Sequence, residues 1–224
     1  MRDRVRAVKA VIWVLGLVPA TLIVVDYLRG RLSANPIEEV LHRLGWWALV
    51  ILLMSLAITP LRRITGWNRV IRYRRLVGLF AFAYATLHLL GYVVLDQWFA
   101  WRYIAEDIAE RPFILAGFSA WLLLLPLAVT STTNWIRQLG RRWVILHRLA
   151  YMAAALGTLH FFWRVKADTR EPILFVLVLA TLLLLRTPPV SRKLAEWRGS
   201  RAENRNGGHR SARRRDDQVP APGP

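Results

Sequence analysis

The chain contains no cysteine. That excludes disulfides, thiolate ligands to haem iron, iron–sulfur clusters and cysteine-based zinc sites. Acidic residues are scarce, 14 Asp and Glu against 32 Lys and Arg, and few fall within the apolar runs, so no membrane-embedded carboxylate completes a hydrophilic metal cage. No internal repeat is evident, which argues against the repeat-built transporters. No strand followed by a GxGxxG loop offers a nicotinamide site.

What is present is apolar and basic together. Of 224 residues 55% are hydrophobic, 11 are Trp, and the formal charge is +18; the mean hydropathy is above zero. A polytopic membrane protein reconciles these facts, because its apolar runs cross the bilayer while Lys and Arg gather in loops on one side. Six apolar segments occur, near residues 11–25, 46–61, 76–95, 113–130, 144–163 and 172–185. Each is on the order of 15 to 20 residues, enough to cross about 30 Å of hydrocarbon with modest tilt. The first follows Arg2, Arg4, Arg6 and Lys9 and imitates a signal peptide, but no small-x-small cleavage site follows, so a retained span is expected.

The basic residues set the orientation. With both termini cytoplasmic, the inside segments hold most of the Lys and Arg, and the opposite loop DQWFAWRYIAEDIAERP is acid-rich. The expected architecture is an all-α integral membrane protein, a six-transmembrane-helix bundle over residues 11–186. A basic cytoplasmic N-terminus (1–10) precedes it, and a basic, mostly disordered cytoplasmic tail (187–224) follows, with a short interfacial helix around Trp197. Asn35 is placed to cap a helix that starts at Pro36 and carries Glu38 and Glu39 in its first turn.

Histidine carries the functional signal. His209 belongs to the tail and His42 to the outer loop, where a surface or hydrogen-bonding role is expected. His88 lies inside the third span, and an intramembrane imidazole needs a partner. At about 100° per residue, Ala81, Ala85 and Gly91 fall within roughly 60° of it, with Gly78 slightly farther round. These small residues either leave room for a flat ligand or let a neighbouring helix pack closely. His160 is near the outer end of the fifth span at a similar depth, with Gly157 and Ala153 about one and two turns below. Two neutral imidazoles on adjacent helices form a bis-histidine site for haem b.

His147 sits about 20 Å lower, near the cytoplasmic side, at the level of Arg74 and Arg75. Arg74 is roughly 40° off the His88 face. These arginines either anchor the positive-inside loop or neutralise haem propionates, meet a quinone or flavin phosphate, or approach iron. His147 and His160 lie about 140° apart on a straight helix. Either the helix is irregular, with Gly157 the candidate position, or His147 turns inward at the helix entrance. One haem, or two, is consistent with this set.

The runs RYRRLVGLFAFAYATLHLLGYVVLDQ and AVTSTTNWIRQLGRRWVILHRLAYMAAALGTLHFFW, with NPIEEVLH and ITPL, resemble the MsrQ or YedZ family. These are the haem-binding membrane subunits of the bacterial protein-methionine-sulfoxide reductase system, within the ferric reductase-like transmembrane group. The resemblance covers roughly residues 11–186. It implies a six-span inner-membrane cytochrome b that passes electrons from the quinol pool to a periplasmic molybdenum-containing reductase repairing methionine sulfoxide in envelope proteins. It further implies haem b and FMN as cofactors, with His88, His147, His160 and Arg74 at the matching positions. Two departures from the wider group stand out: one histidine in the third span instead of two, and no flavin–nicotinamide domain, so NADPH oxidation by this chain alone is not expected. The chain is read as an electron-transfer subunit with no bond-making site of its own, docking its partner through the outer loops 98–112 and 164–171. The competing readings are a histidine-dependent transporter of protons or metal ions and a passive membrane anchor.

Overall fold

The computed structural model describes residues 2–165 and 168–190, together with Arg192 and Glu196. Trp197 and the tail beyond it lie outside the described residues. Among the described residues every regular element is helical. The helices are α1 (Arg2–Leu28), α2 (Pro36–Thr65), α3 (Arg74–Gly91), α4 (Trp101–Glu110), α5 (Pro112–Val129), α6 (Thr133–Leu139), α7 (Arg141–Leu146), α8 (Leu149–Arg164) and α9 (Arg170–Leu184).

Among the described residues five stretches are long and apolar enough to cross a membrane: α1, α2, Asn68–Asp96 containing α3, α5, and Arg141–Arg164 containing α7 and α8. The sixth apolar segment is α9, whose 15 residues span about 22 Å at 1.5 Å per residue.

The start of α2 follows from its sequence. Asn35 Oδ1 accepts from the Glu38 amide at 3.3 Å, and Pro36 occupies the first turn, where its missing N–H costs nothing. The helix then runs unbroken through the second apolar segment. At its far end Gly66, at φ +74°, adopts the left-handed conformation that a side chain would oppose, and its amide closes on the Arg62 carbonyl. The chain reverses through a 3₁₀ turn at Asn68–Tyr73 into α3, making α2 and α3 an antiparallel pair.

A second close pair is α5 with α8. Leu56, Ala81, Ala153 and Ala154, almost wholly buried, form the centre. Outward-facing residues such as Val11, Leu15, Leu22, Leu122 and Leu177 stay exposed, as a lipid-facing surface requires.

Helix α1 is fastened at one point. The Tyr84 hydroxyl donates to the Gly16 carbonyl at 2.6 Å and accepts from the Ala20 amide at 3.0 Å, so it engages both ends of one rung of the α1 ladder beside Pro19. Gly16 permits this approach, since a Cβ there would come within 2.6 Å of the Phe80 ring. Removing the hydroxyl deletes this tie between α3 and α1 and leaves the rung to its intrahelical bond. Tyr84→Phe is expected to destabilise the detergent-solubilised protein by about 1–2 kcal/mol, read as a lower unfolding midpoint with unchanged helical circular dichroism.

Pro60, deep inside α2, cannot supply the amide that would bond the Leu56 carbonyl. The Arg186 guanidinium takes that place, donating to the Leu56 carbonyl and to the Tyr151 hydroxyl.

The fifth apolar segment is where the helix breaks. Helix α7 ends at Leu146, His147 caps it with ψ −2°, and α8 starts at Leu149. The irregularity thus falls at His147 itself, while Gly157 lies inside an unbroken α8. After α3 the helix widens into a π turn at Tyr92–Asp96, one turn beyond His88. It ends at Trp98 and Phe99, whose φ angles of +47° and +60° are uncommon for large side chains.

Candidate functional site

Between the α2/α3 and α5/α8 pairs lies a cavity of about 660 Å³, within the range of sites that enclose a cofactor. His88 and His160 both line it, on α3 and α8, with ring centroids 6.0 Å apart and planes at 73°. Two imidazoles holding one metal ion from opposite sides at about 2 Å per bond need centroids on the order of 6 Å apart.

The tautomer of each ring is set by a backbone carbonyl. His88 Nδ1 lies 2.8 Å from the Leu41 carbonyl oxygen and His160 Nδ1 2.6 Å from that of Phe113. A carbonyl can only accept, so Nδ1 carries the proton in both rings, and each Nε2 keeps its lone pair for a ligand. Each ring also rests on a glycine one turn along from its carbonyl. A Cβ on Gly45 would come within 3.1 Å of the His88 ring, and one on Gly117 within 2.7 Å of His160 Nδ1.

These two arrangements are one motif used twice. Histidine and carbonyl are 47 residues apart in both, and the second set follows the first by 72 residues: Leu41, Gly45 and His88 become Phe113, Gly117 and His160. The same offset relates Ala48 to Ala120, Leu52 to Leu124 and Ala85 to Gly157, all on the cavity wall. Thr86 and Thr158 each bond the carbonyl four residues back, at 2.9 and 2.8 Å. The expectation of no internal repeat is therefore corrected: Thr-Leu-His stands at 86–88 and again at 158–160, and the α2/α3 and α5/α8 pairs present it to a common cavity.

The small residues around His88 divide between the two readings left open for them. Ala85 lines the cavity. Ala81 is fully buried, and a Cβ on Gly91 would meet Leu41 at 2.8 Å, so these two serve close helix packing. The cradle for the rings comes from Gly45 and Gly117 on the opposing helices, which inspection of the histidine-bearing helices alone does not reveal.

His42 is also on the cavity wall, half-buried, its ring 6.0 Å from that of Phe161. Its counterpart in the second unit is Ile114. At the cavity mouth Arg164 pairs with Glu38 at 2.7 Å, and Asp107 accepts from the Tyr92 hydroxyl at 2.8 Å and pairs with Arg111 at 3.1 Å. Both arginines are therefore ion-paired, and with Asp96 also on the wall the charged groups of the cavity are three carboxylates and two guanidiniums.

His147 lines neither this cavity nor the smaller one at the opposite end of the bundle. Its ring stacks on Trp143 at 3.8 Å, with Nδ1 3.1 Å from the Trp143 carbonyl oxygen. Arg74, the first residue of α3, faces the smaller cavity, and Arg75 is exposed.

Among the described residues no group of three or more His, Asp or Glu could enclose a metal ion. Two trans imidazoles need their remaining ligands from a bound molecule. A flat macrocycle carrying a metal matches the facing donor pair and the mostly apolar walls.

The model of the family "Ferric reductase like transmembrane component" matches residues 44–158, a span that holds both copies of the motif except Leu41 and His160. The protein-methionine-sulfoxide reductase heme-binding subunit MsrQ of Rhodospirillum rubrum is 48% identical over 194 residues, covering 86% of this chain and 93% of that protein. Proteins of the same name from Xanthomonas axonopodis pv. citri and Xanthomonas euvesicatoria pv. vesicatoria are 55% and 54% identical over 152 residues, 68% of this chain and 70% of each relative. No solved structure matches the chain.

Proposed function

The chain belongs to the ferric reductase-like transmembrane family and to the MsrQ family of haem-binding subunits, and from that premise we propose that it carries electrons from membrane quinol to a periplasmic, molybdenum-containing methionine sulfoxide reductase. The work so supported is repair of oxidised envelope proteins. The observation that carries the reading is the facing pair His88 and His160, each with Nδ1 held by a carbonyl and Nε2 left for a metal.

In this reading His88 and His160 would hold one haem b, with Arg111 and Arg164, ion-paired to Asp107 and Glu38, at the cavity mouth. A bound haem would supply one-electron redox chemistry. The protein's residues hold the imidazole tautomers, wall the chamber with apolar side chains and exclude water. FMN is the second cofactor in the reading, and Arg74 and His147 mark the opposite end of the bundle, where a second electron carrier would stand.

The protein is placed in the bacterial inner membrane with six spans, α9 being the sixth, and with both termini cytoplasmic. The cavity mouth then faces the periplasm. The partner docks on the outer loops 98–112 and 164–171, where Trp98, Trp101 and Tyr103 are exposed.

The direct test reconstitutes the haem-loaded protein in liposomes with a reduced quinol and the periplasmic reductase. Quinol-dependent reduction of methionine sulfoxide that ceases when either component is left out is expected; reduction that proceeds without this chain contradicts the reading. Haem stoichiometry is expected to be one per chain, and His147→Ala is expected to retain it. A stoichiometry of two, halved in that variant, would place a second haem at His147.

A further inference from the structure

Three imidazoles line the larger cavity, and the facing pair His88 and His160 accounts for two of them. The third, His42, is half-buried near the start of α2. It stands outside the repeated framework. The 72-residue offset carries Leu41 to Phe113 and Gly45 to Gly117, but it puts Ile114 where His42 stands. Both His42 and Ile114 are on the cavity wall, so a position that holds an aliphatic side chain in one unit carries a titratable ring in the other. Packing alone does not ask for an imidazole there.

The surroundings of the ring suit proton exchange. Nδ1 of His88 and of His160 is fixed by a carbonyl, whereas among the described residues none hydrogen-bonds a His42 nitrogen. Glu38, one turn before it on α2, is exposed at the cavity mouth and paired with Arg164 of α8. Glu38 and Glu39 of α2, Arg164 of α8 and Glu171 in the first turn of α9 act on the ring electrostatically, and the ring acts in turn on His88 of α3. His42 thus links the water-facing rim to the interior of the chamber.

An electron arriving in that chamber needs a compensating charge. Carboxylates already outnumber guanidiniums on the wall, and a further negative charge in a low-dielectric interior is costly unless a positive one joins it. The carboxylates are engaged: Glu38 with Arg164, Asp107 with Arg111 and the Tyr92 hydroxyl, and Asp96 with Gln97. His88 and His160 already carry their proton on Nδ1. That leaves His42, and imidazole is the side chain that changes charge between about pH 5 and 8.

We propose that His42 is a redox-linked proton acceptor: when one electron enters the group held by His88 and His160, the His42 imidazole takes up one proton from water at the cavity mouth, and it returns that proton when the electron leaves. The electron comes from the quinol of the proposed function or from a chemical reductant in its place, and the only bond of this chain that forms or breaks is an N–H of His42. The proposal rests on the haem-binding reading above.

In the test, the ferrous fraction of the haem-loaded, full-length protein in neutral detergent is followed by its alpha band at a series of fixed potentials between about pH 5 and 8. In the wild type the ferrous-to-ferric ratio at a given potential is expected to fall by about ten-fold per pH unit over part of that range, because the reduced form binds one proton more. His42→Gln and His42→Ala are expected to keep the haem and its low-spin spectrum while flattening the dependence to less than about two-fold per unit. A purely structural role for His42 would not move this slope.

A haem-loaded wild type whose ratio is independent of pH overturns the proposal alone. So does a dependence that survives both substitutions, since the proton would then bind elsewhere. Loss of haem from both variants overturns it as well, because His42 would then help to hold the group itself. A wild type that binds no haem contradicts the underlying reading, and the proposal falls with it.

Discussion

Replacing His88 or His160 with alanine is expected to abolish haem retention during purification, while the variant protein still inserts in the membrane and elutes as the wild type does. The two rings face each other across the cavity at 6.0 Å, and among the described residues no group of three or more His, Asp or Glu is placed to hold a metal in their stead. Loss of a positioning partner behind a metal-bound histidine costs about 10–100-fold in affinity. Loss of the ligand itself should exceed that, at least on the order of 100-fold. Because alanine leaves a ring-sized void, free imidazole in the buffer should restore part of the spectrum. His42→Ala is the informative companion: it lines the same cavity but has no fixed opposite number, so the haem should remain. Retention of a six-coordinate spectrum in both the His88 and His160 variants would remove these residues from the site.

The second large effect is expected one step behind the ligands. In Gly117→Ala the new methyl group would lie 2.7 Å from His160 Nδ1, closer than such carbons approach, and the ring cannot retreat without leaving the Phe113 carbonyl. Gly45→Ala crowds the His88 ring at 3.1 Å, a milder clash. Haem affinity should therefore fall by about 10–100-fold in Gly117→Ala and by less in Gly45→Ala, measured by haem transfer to an apo-globin acceptor. Gly78→Ala is the control, since a Cβ there meets only the Ser55 hydroxyl at 3.4 Å. Equal retention in Gly117→Ala and Gly78→Ala would show that the glycine cradle does not position the ring.

How far the molecule is legible in its sequence varies with the range of the interaction. The helix start at Asn35–Pro36 is a local matter of capping, and it is found where the residues put it. The membrane-length runs likewise appear as helices, because apolar length is itself a local property. Rise per residue in two spans that run the same way puts His88 and His160 at a similar depth, and their ring centroids stand 6.0 Å apart.

What escaped was non-local. Gly45 and Gly117 read as ordinary helix-packing residues until their partners across the bundle are known. His42 lies in a loop-like context whose helix continues into the bundle. Helix α7 ends at His147, whose ring stacks on Trp143, with no glycine or proline at the spot to announce it. The two-fold unit had a visible trace in Thr-Leu-His at 86–88 and 158–160, yet the helices around it share few residue types because only the cavity-facing positions are under the same demand. Pro60 announced a freed carbonyl at Leu56, but nothing in the sequence said that Arg186 would serve it.

The most direct test of the central claim is the visible spectrum of the purified wild-type protein, oxidised and then dithionite-reduced, with haem quantified per chain. The account predicts a low-spin b-type spectrum with a Soret shift and sharp alpha and beta bands on reduction, at one haem per chain. A correctly folded protein that shows no haem spectrum, even after expression with added haem, would contradict it.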